Sequence, residues 1–399
     1  MIRTIAPIFF AFSLGLLLSL SANLILKIFI RRFWKKEFRG IRYRYLLLIL
    51  FAASVLWATG KLSGSTTVLL FGASILASIN LSGLLLSATL PIPLVIELLY
   101  RKYKSRVKRE KPVARVVDPS RRYFLKTTAT AFPVLALGTA GTGMVGSFQH
   151  VRFPEKEVYF NDLSTDLEGF RILHLTDLHL GYYFNLPDLE ETLKNSEGLN
   201  PDLILLTGDV ADDLRQLPEA LRMIGHAKSR YGAFASLGNH EYIRDIHLVK
   251  KIFDDSSVPL LVNNHAVIRH HKSRLVIAGA DDPKTMRGDI TPFLNQTISQ
   301  SLDRAPEESF RILMSHRPRA LDVAENFDIN LILAGHTHGG QIGLEGRSLF
   351  EGIVEKEPYM WGFYKKNDVQ LYTSAGLGHW FPFRLNCPPE APVFILRRS

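Results

Sequence analysis

Four long apolar runs separated by basic clusters fill the first 150 residues, and no other feature restricts the fold of this chain as strongly. About 20 apolar residues wound as a helix match the hydrocarbon core of a bilayer, because every backbone hydrogen bond is then made within the segment. Ile5 to Leu26 meets that length, with Asn23 and a few serines as its polar interruptions. Tyr45 to Gly60 is shorter. Thr66 to Leu99 is longer than one span requires, and Pro91 and Pro93 are placed to break or kink its end. Phe124 to Phe148, rich in Ala, Gly and Thr, is the mildest of the four. The pattern predicts an all-α membrane region with about four transmembrane helices over residues 1–150 and a globular domain over residues 151–399.

Charge gives this region a direction. Arg31 to Arg44 holds seven Lys or Arg against Glu37, and Arg101 to Lys126 holds eleven against Glu110 and Asp118. Taking these 18 basic and 3 acidic residues out of the 48 and 38 in the chain leaves 30 and 35, a balance of −5. The net charge of +10 therefore belongs to two loops flanking the membrane, and nucleic acid is not an expected partner of the globular part. Basic loops stay cytoplasmic, whereas the connection around Lys61 carries a single lysine. Four spans then place the N-terminus and the globular domain outside, so the expected location is a multi-pass cell-membrane protein with an extracytoplasmic catalytic domain. Ser120-Arg121-Arg122-Tyr123-Phe124-Leu125-Lys126, followed by a weakly apolar stretch, resembles a twin-arginine export signal, which makes the twin-arginine machinery an expected partner. Its position inside the chain departs from the usual one at the start. Cys387 is the only cysteine, so no intrachain disulfide can form.

From Gly169 onward, strand-like runs (Phe170–Leu175, Leu203–Thr207, Gly232–Leu237, Phe310–Met314, Leu331–Ala334) alternate with helical patterns (Leu186–Lys194, Leu217–Lys228, Leu248–Phe253, Ala320–Phe327). That alternation predicts an α/β domain, with a hairpin of Ala266–His270 and Leu275–Gly279 added to it. Each of the five runs ends in polar residues: Asp177-Leu178-His179, Gly208-Asp209-Val210-Ala211-Asp212, Gly238-Asn239-His240-Glu241, Ser315-His316-Arg317-Pro318 and Gly335-His336-Thr337-His338. Open α/β sheets gather ligands outside the carboxyl ends of their strands, so five loops converge on one place. Oxygen and imidazole donors without thiolate suit Mn, Fe or Zn. Seven such donors exceed what one ion needs, and a pair of ions roughly 3.5–4 Å apart is the economical arrangement, one that clamps both oxygens of a displacement at phosphorus. Glycines beside Asp209, Asn239 and His336 permit close backbone approach.

The ordered set D-x-H, G-D-x-x-D, G-N-H-E, a lone His and G-H-x-H resembles the calcineurin-like metallophosphoesterase superfamily over about residues 169 to 399. G-H-T-H-G-G-Q and Pro388-Pro389-Glu390 look like its bacterial membrane-associated branch. The resemblance implies a β-sandwich flanked by helices and two divalent metal ions. It implies that Asp177, His179, Asp209 and His338 hold one ion, with Asp209 bridging, and that Asn239, His316 and His336 complete the second. A metal-bridging water or hydroxide would be the nucleophile. His240, not a ligand, would stabilise phosphoryl charge or protonate the leaving oxygen, and Asp212 and Glu241 would orient the ligands.

The remaining candidates read as structural. His174 falls inside the first strand, facing the core, and His265, His270 and His271 are expected at the surface of the hairpin. His226, His247 and His379 have no evident partners. Asp281 and Asp282 read as turn residues in preference to substrate-facing groups, and Arg317 as a phosphate contact or a solvated surface arginine. The expected activity is hydrolysis of a phosphodiester or phosphomonoester, of an envelope or lipid-linked substrate given the membrane region. The alternatives are a pyrophosphatase of a nucleotide-linked lipid precursor on the cytoplasmic face, and a non-enzymatic membrane scaffold with a structural metal site.

Overall fold

The computed structural model of the protein describes residues 2–34, 42–63, 65–107, 119–181, 183–284, 288–379 and 381–399. The chain divides into two compact units, Met1–Val145 and Gly146–Ser399. The first is built from helices α1 (Ile2–Trp34), α2 (Tyr43–Ser63), α3 (Thr66–Thr89), α4 (Pro91–Val107) and α5 (Pro119–Gly146). Where α2 and α3 pack, Gly72 has no room for a Cβ against the backbone of Ala53 and Trp57, and Gly60 has none against Leu69. Small residues let the two backbones touch, which replaces the hydrophobic driving force that helices lack in lipid. Large apolar side chains such as Phe9, Phe10, Leu17, Phe51 and Phe71 point outward.

Among the described residues three helices are long and apolar enough to cross a membrane: Ile8–Trp34, Tyr43–Ser63 and Phe71–Tyr103. The fourth expected segment, Phe124 to Phe148, is helical through Gly146 as part of α5, and many of its side chains lie outside the described ones. The side chains of Ser120 to Lys126, which make up the twin-arginine-like pattern, lie outside the described ones, as do residues 35–41 and 108–118 of the two basic loops.

In the second unit, β1 (Glu155–Phe160) and β2 (Arg171–Leu175) are followed by α6 (Leu186–Ser196), β3 (Leu203–Thr207), α7 (Leu217–His226) and β4 (Ala233–Ser236). Next come α8 (Asn239–Arg244), α9 (Ile246–Asp254), β5 (Asn264–His270), β6 (Ser273–Gly279), α10 (Thr291–Ser301), β7 (Phe310–Met314) and β8 (Leu331–Ala334). A short ribbon of β9 (Gly343–Leu344) and β10 (Arg347–Ser348), then β11 (Gly362–Lys366), β12 (Val369–Thr373) and β13 (Val393–Arg398) complete the chain. One sheet has the order β1-β13-β2-β3-β4 and the other β11-β12-β8-β7-β6-β5. β2, β3 and β4 run parallel, as do β6, β7, β8 and β12, so the motif-bearing ends within each run point the same way.

The two faces of each strand sort the core. Ile172, Leu203 and Leu205 meet Ile277, Ile312, Met314, Leu331 and Leu333 between the sheets. Their neighbours Leu173, Ile204 and Leu206 face outward under Leu189 of α6, Leu221 of α7 and Val249 of α9. On the other side Leu313 and Ile332 lie under Leu294 and Ile298 of α10. The period of two along each strand thus yields a β-sandwich with helices on both outer faces. The expected hairpin is present as β5 and β6, antiparallel at the sheet edge. One expected helix is not: residues 318–327 form two short 3-10 turns, with Ala320 N bonded to Arg317 O and Val323 N to Ala320 O. Pro318 can open a turn, but the segment is too brief for stable i to i−4 bonding.

Glu390 closes the sandwich near β12. Its Oε1 accepts from Trp361 Nε1 (2.9 Å), Tyr372 OH (3.0 Å) and Ala375 N (3.0 Å), and burial together with Glu390 raises the Tyr372 hydroxyl well above its usual range. Replacing Glu390 by Leu strands three buried donors and is expected to cost about 3 kcal/mol of stability, with Gln, which keeps an acceptor, costing less. Chemical denaturation midpoints of the two variants check this order.

Candidate metal centre

Loops leaving β2, β3, β4, β7 and β8 bring nine of the ten expected residues into contact, and Asn239 precedes one of them, His240, in the chain. Asp177 (φ 52°), His179 (φ 47°), Asp209 (φ 50°), His336 (φ 72°) and His338 (φ 50°) adopt left-handed backbone, which non-glycine residues enter at a cost of order 1 kcal/mol or more each. Such conformations fold a side chain back over the strand end instead of letting the chain run on. Gly208 (φ 69°) sits where a Cβ would lie 2.7 Å from Gly238 Cα and 2.8 Å from His316 Nδ1, and a Cβ on Gly335 would collide with the Asp177 carboxyl. Close approach, more than turn geometry, explains these two glycines.

The ligand atoms fall into three groups, each within 4.8 Å: Asp177, His179 and His338; His179, Asp209 and His240; and Asp209, His316 and His336. His179 Nε2 lies 3.1 Å from His338 Nε2 and 3.6 Å from Asp209 Oδ2, and His338 Nε2 lies 3.3 Å from Asp177 Oδ1. His316 Nε2 lies 3.1 Å from the same Asp209 oxygen, which therefore faces both ends of the cluster. Asn239 is buried between Gly238, which leaves no room for a Cβ beside Asp209 Oδ1, and His240, whose N–H donates to that oxygen (2.8 Å).

Burial disfavours charge on both His179 and His316, yet the carboxyls around them prevail. The Asp212 hydrogen bond, Asp209 and Asp177 raise His179 to about 9, and Asp209 and Asp177 raise His316 to about 10. Burial would raise Asp209, but His316 and His179 hold it well below the usual range. Burial, His179 and Arg384 together push His338 well down. The pocket is thus built to demand positive charge at its centre.

Supporting contacts fix these groups. Glu241 Oε2 accepts from Asp209 N (3.0 Å) and Gly238 N (2.8 Å), and its Oε1 from Val210 N (2.8 Å), so one carboxyl ties the β3 loop to the start of α8. Burial, then Asp209, raises its pKa. Asp212 Oδ2 meets His179 Nδ1 at 3.2 Å and its Oδ1 meets His240 Nδ1 at 2.7 Å. Against the effect of burial, these two histidines hold the Asp212 carboxyl far below the usual range. Thr176 Oγ1 donates to Asp177 Oδ2 (2.8 Å).

Several supports were not visible in the sequence. Arg384, fully buried, donates to the carbonyls of Ala375, Gly376 and Cys387, and a Cβ on Gly376 would sit 2.7 Å from Asp177 Cβ. Cys387 Sγ lies 3.5 Å from His338 O, and burial pushes its thiol to about 12, which makes it an inert packing group. Only the Pro388-Pro389-Glu390 stretch signalled this segment.

His174 is buried as expected, its Nε2 3.0 Å from Thr207 Oγ1. Of the three hairpin histidines, His271 is exposed and His265 half-buried, but His270 is buried, contrary to the surface expectation. The edge of Phe170 and the Tyr231 hydroxyl, 2.8 Å from His270 Nδ1, cover it. His379 is buried against Tyr183. Arg317 is no solvated arginine: it is 2% exposed, with its Nε 2.7 Å from Asp282 Oδ2, and Asp282, buried with it, keeps the expected turn role because its Oδ1 accepts from Lys284 N (2.7 Å).

The calcineurin-like phosphoesterase family model matches residues 170–340, which hold every residue of this cluster. An uncharacterized metallophosphoesterase of Bacillus subtilis, YkuE, is 31% identical over 298 residues, 70% of this chain and 98% of that one. This chain belongs to the calcineurin-like phosphoesterase family. It is a metallophosphoesterase, a hydrolase of phosphoric esters. A zebrafish transmembrane protein with a metallophosphoesterase domain is 27% identical over 266 residues; the match covers 64% of this chain and 60% of that one. Among solved structures, a dimetal phosphatase from Danio rerio is similar over 52% of this chain and 88% of its own, at 12% identity and a TM-score of 0.31.

The three N–H groups gathered by Glu241 give a direct test. Glu241→Leu leaves all three buried without an acceptor and is expected to lower the stability of this metallophosphoesterase by about 3 kcal/mol or more, whereas Glu241→Gln loses less. Thermal unfolding of the two variants distinguishes them.

Proposed function

We propose that this metallophosphoesterase hydrolyses a phosphodiester or phosphomonoester of an envelope or lipid-linked compound, with two divalent metal ions in the centre described above. The supporting observation is the buried gathering of Asp and His ligand atoms within 4.8 Å of one another, beside which Asn239 Oδ1 is buried without a hydrogen-bond partner. Buried polar atoms are nearly always satisfied, so an orphan of this kind fits a missing cation. Asp177, His179, Asp209 and His338 would hold one ion, and Asp209, Asn239, His316 and His336 the other. Ions of the Mn, Fe or Zn class supply Lewis-acid polarisation of phosphoryl oxygens and an acidified water at neutral pH.

The remaining work falls to side chains. The Asp212 carboxyl fixes the proton on His240 Nδ1, and the His240 side chain, 23% exposed, is the most accessible group of the cluster with its Nε2 left for substrate. Protonated at Nε2, it donates to a phosphoryl oxygen or passes its proton to the leaving oxygen. The second carboxyl oxygen of Asp212 fixes His179 in the same manner, so one residue aligns a ligand and the acid.

Three apolar helices in the same chain favour a substrate at the membrane, such as a phospholipid head group, a lipid pyrophosphate or a wall phosphodiester. With α5 also crossing at the twin-arginine-like segment, the basic loops put the catalytic unit outside. In a second reading α5 does not cross and the domain faces the cytoplasm, where a nucleotide-linked lipid precursor becomes the substrate class. Reporters active on one side of the membrane, fused after Ser399 and within residues 61–65, separate the two: opposite signals support three crossings and the cytoplasmic reading, equal signals four and the external one.

Chelation is expected to abolish hydrolysis of a generic aryl phosphodiester, with activity returning on adding divalent metal. Asp209→Asn and His336→Ala should each lower kcat/KM at least about a hundredfold, and His240→Ala about 10²–10⁴-fold with both ions retained. Elemental analysis alongside the rates tests the division of roles, and wild-type rates in these variants would refute it.

A further inference from the structure

Exposed branched apolar side chains are not spread evenly over the catalytic unit. Leu344, Leu349, Ile353 and Val354 crowd one short segment that starts at the β9–β10 ribbon, and Ile353 is 70% exposed. A fifth, Ile243, stands on α8. The other large apolar side chains left exposed among the described residues of Gly146–Ser399 are Phe148, Tyr159, Leu248, Val267 and Phe363, scattered along the chain. Single exposed apolar residues need no explanation, whereas several in one place mark a contact surface.

The crowded segment is fastened to the metal centre at both ends. Leu349 N donates to Ile342 O (2.9 Å), and Phe350 packs on Gly340, two residues after His338, where a Cβ would lie 2.5 Å from the ring. At the far end Glu357 Oε1 lies 3.7 Å from His336 Nε2, and Thr337 Oγ1 donates to Met360 O. Between these anchors Ile353 N and Val354 N both donate to Phe350 O (2.9 and 3.2 Å), and Glu357 N donates to Val354 O (3.0 Å). Residues 350–357 thus form a run of turns that leaves Ile353 and Val354 exposed beside His336. On α8, Ile243 follows His240 by three residues, a spacing that puts both on one face of the helix. Exposed apolar side chains therefore flank the centre on its His336 side and on its His240 side.

We propose that these two lips are a bilayer-docking surface: Leu344, Leu349, Ile353, Val354 and Ile243 enter the headgroup region of a phospholipid membrane, and the metal centre opens toward lipid headgroups. The same chain carries three helices long and apolar enough to cross a membrane, so a bilayer is the apolar phase this unit has within reach on whichever face it lies. Docking rests on that membrane reading and not on which ester is cleaved. Residues 343–357 carry Arg347 and Lys356 against Glu345, Glu351, Glu355 and Glu357, so attraction to anionic headgroups does not drive the contact. Removal of apolar side chains from water does. The competing occupants are a protein partner and a second copy of the chain.

Cys387, the only cysteine, is buried with its thiol pushed to about 12, so a cysteine placed at an exposed position takes a thiol-reactive dye alone. The full-length Ile353→Cys protein, labelled with an environment-sensitive fluorophore, is placed in phosphatidylcholine vesicles whose acyl chains carry bromine at defined depths. A blue shift and a loss of emission are expected, greatest for bromines near the headgroups and unchanged by added salt. Val267→Cys, on the edge strand β5 and also exposed, is expected to keep an aqueous spectrum. Adding Leu349→Glu and Val354→Glu to the labelled Ile353→Cys protein, both at exposed positions that folding tolerates, is expected to abolish shift and quenching. Equal spectra at residues 353 and 267, or signals that survive the two glutamates, would overturn the assignment. A blue shift without bromine quenching would also overturn it and give the surface to a protein. A wild-type chain that does not stay with the vesicles would overturn it together with the membrane reading.

Discussion

Two groups of potential ligands meet at a single oxygen, Asp209 Oδ2, which lies 3.6 Å from His179 Nε2 and 3.1 Å from His316 Nε2. The first histidine comes from the loop after β2 and the second from the loop after β7, in the opposite sheet. Bringing them to one carboxyl requires both sheets to be in register across their shared core. Asp209 can stand there only because its backbone is left-handed, because Gly208 and Gly238 leave room beside it, and because Glu241 accepts its N–H. The packed sandwich meets the strain of that loop and of four similar residues, since no single turn would hold them alone.

Electrostatics gives the same picture. Asp177, Asp209 and Asp212 crowd a volume from which water is nearly excluded, and histidines with raised pKa values stand in for the charge that such a group requires. Asp212 lies at the edge of this arrangement with His179 on one oxygen and His240 on the other. A change in one of these rings is therefore felt by the other through a single carboxyl. The buried Arg317–Asp282 pair adds a fixed cation beside His336, as Arg244 does at Asp212 Oδ1 (2.6 Å) beside His179 and His240.

Much of this was legible beforehand. Alternating apolar runs announced β2, β3, β4, β7 and β8 to within a residue or two, and the polar residues ending them announced the cluster, because a parallel run of strands delivers its carboxyl ends to one side. Less was legible where burial depends on what arrives from far along the chain. His270 looks like a hairpin surface residue until Phe170 and Tyr231 cover it, and Arg317 looks solvated until Asp282, from the loop after β6, packs against it. Arg384 and Glu390 carry no local pattern that marks them as buried hubs, since their partners are carbonyls and ring donors brought together by the closing of the sandwich. In the N-terminal unit, length and hydropathy identified three strongly apolar helices, and the Ala- and Gly-rich segment of α5 is milder in composition than these.

The sequence by itself determined the division into an apolar helical part and an α/β part, the strand order of chemical groups, and the donor types, which exclude thiolate chemistry. These are local properties, written in periodicity and residue identity. Tertiary structure alone decided which oxygen faces both halves of the cluster, which histidines share Asp212, and that Arg317 is turned inward on His336. Those outcomes depend on the separation of two sheets and the angles of five loops, quantities fixed by packing between residues far apart in the chain.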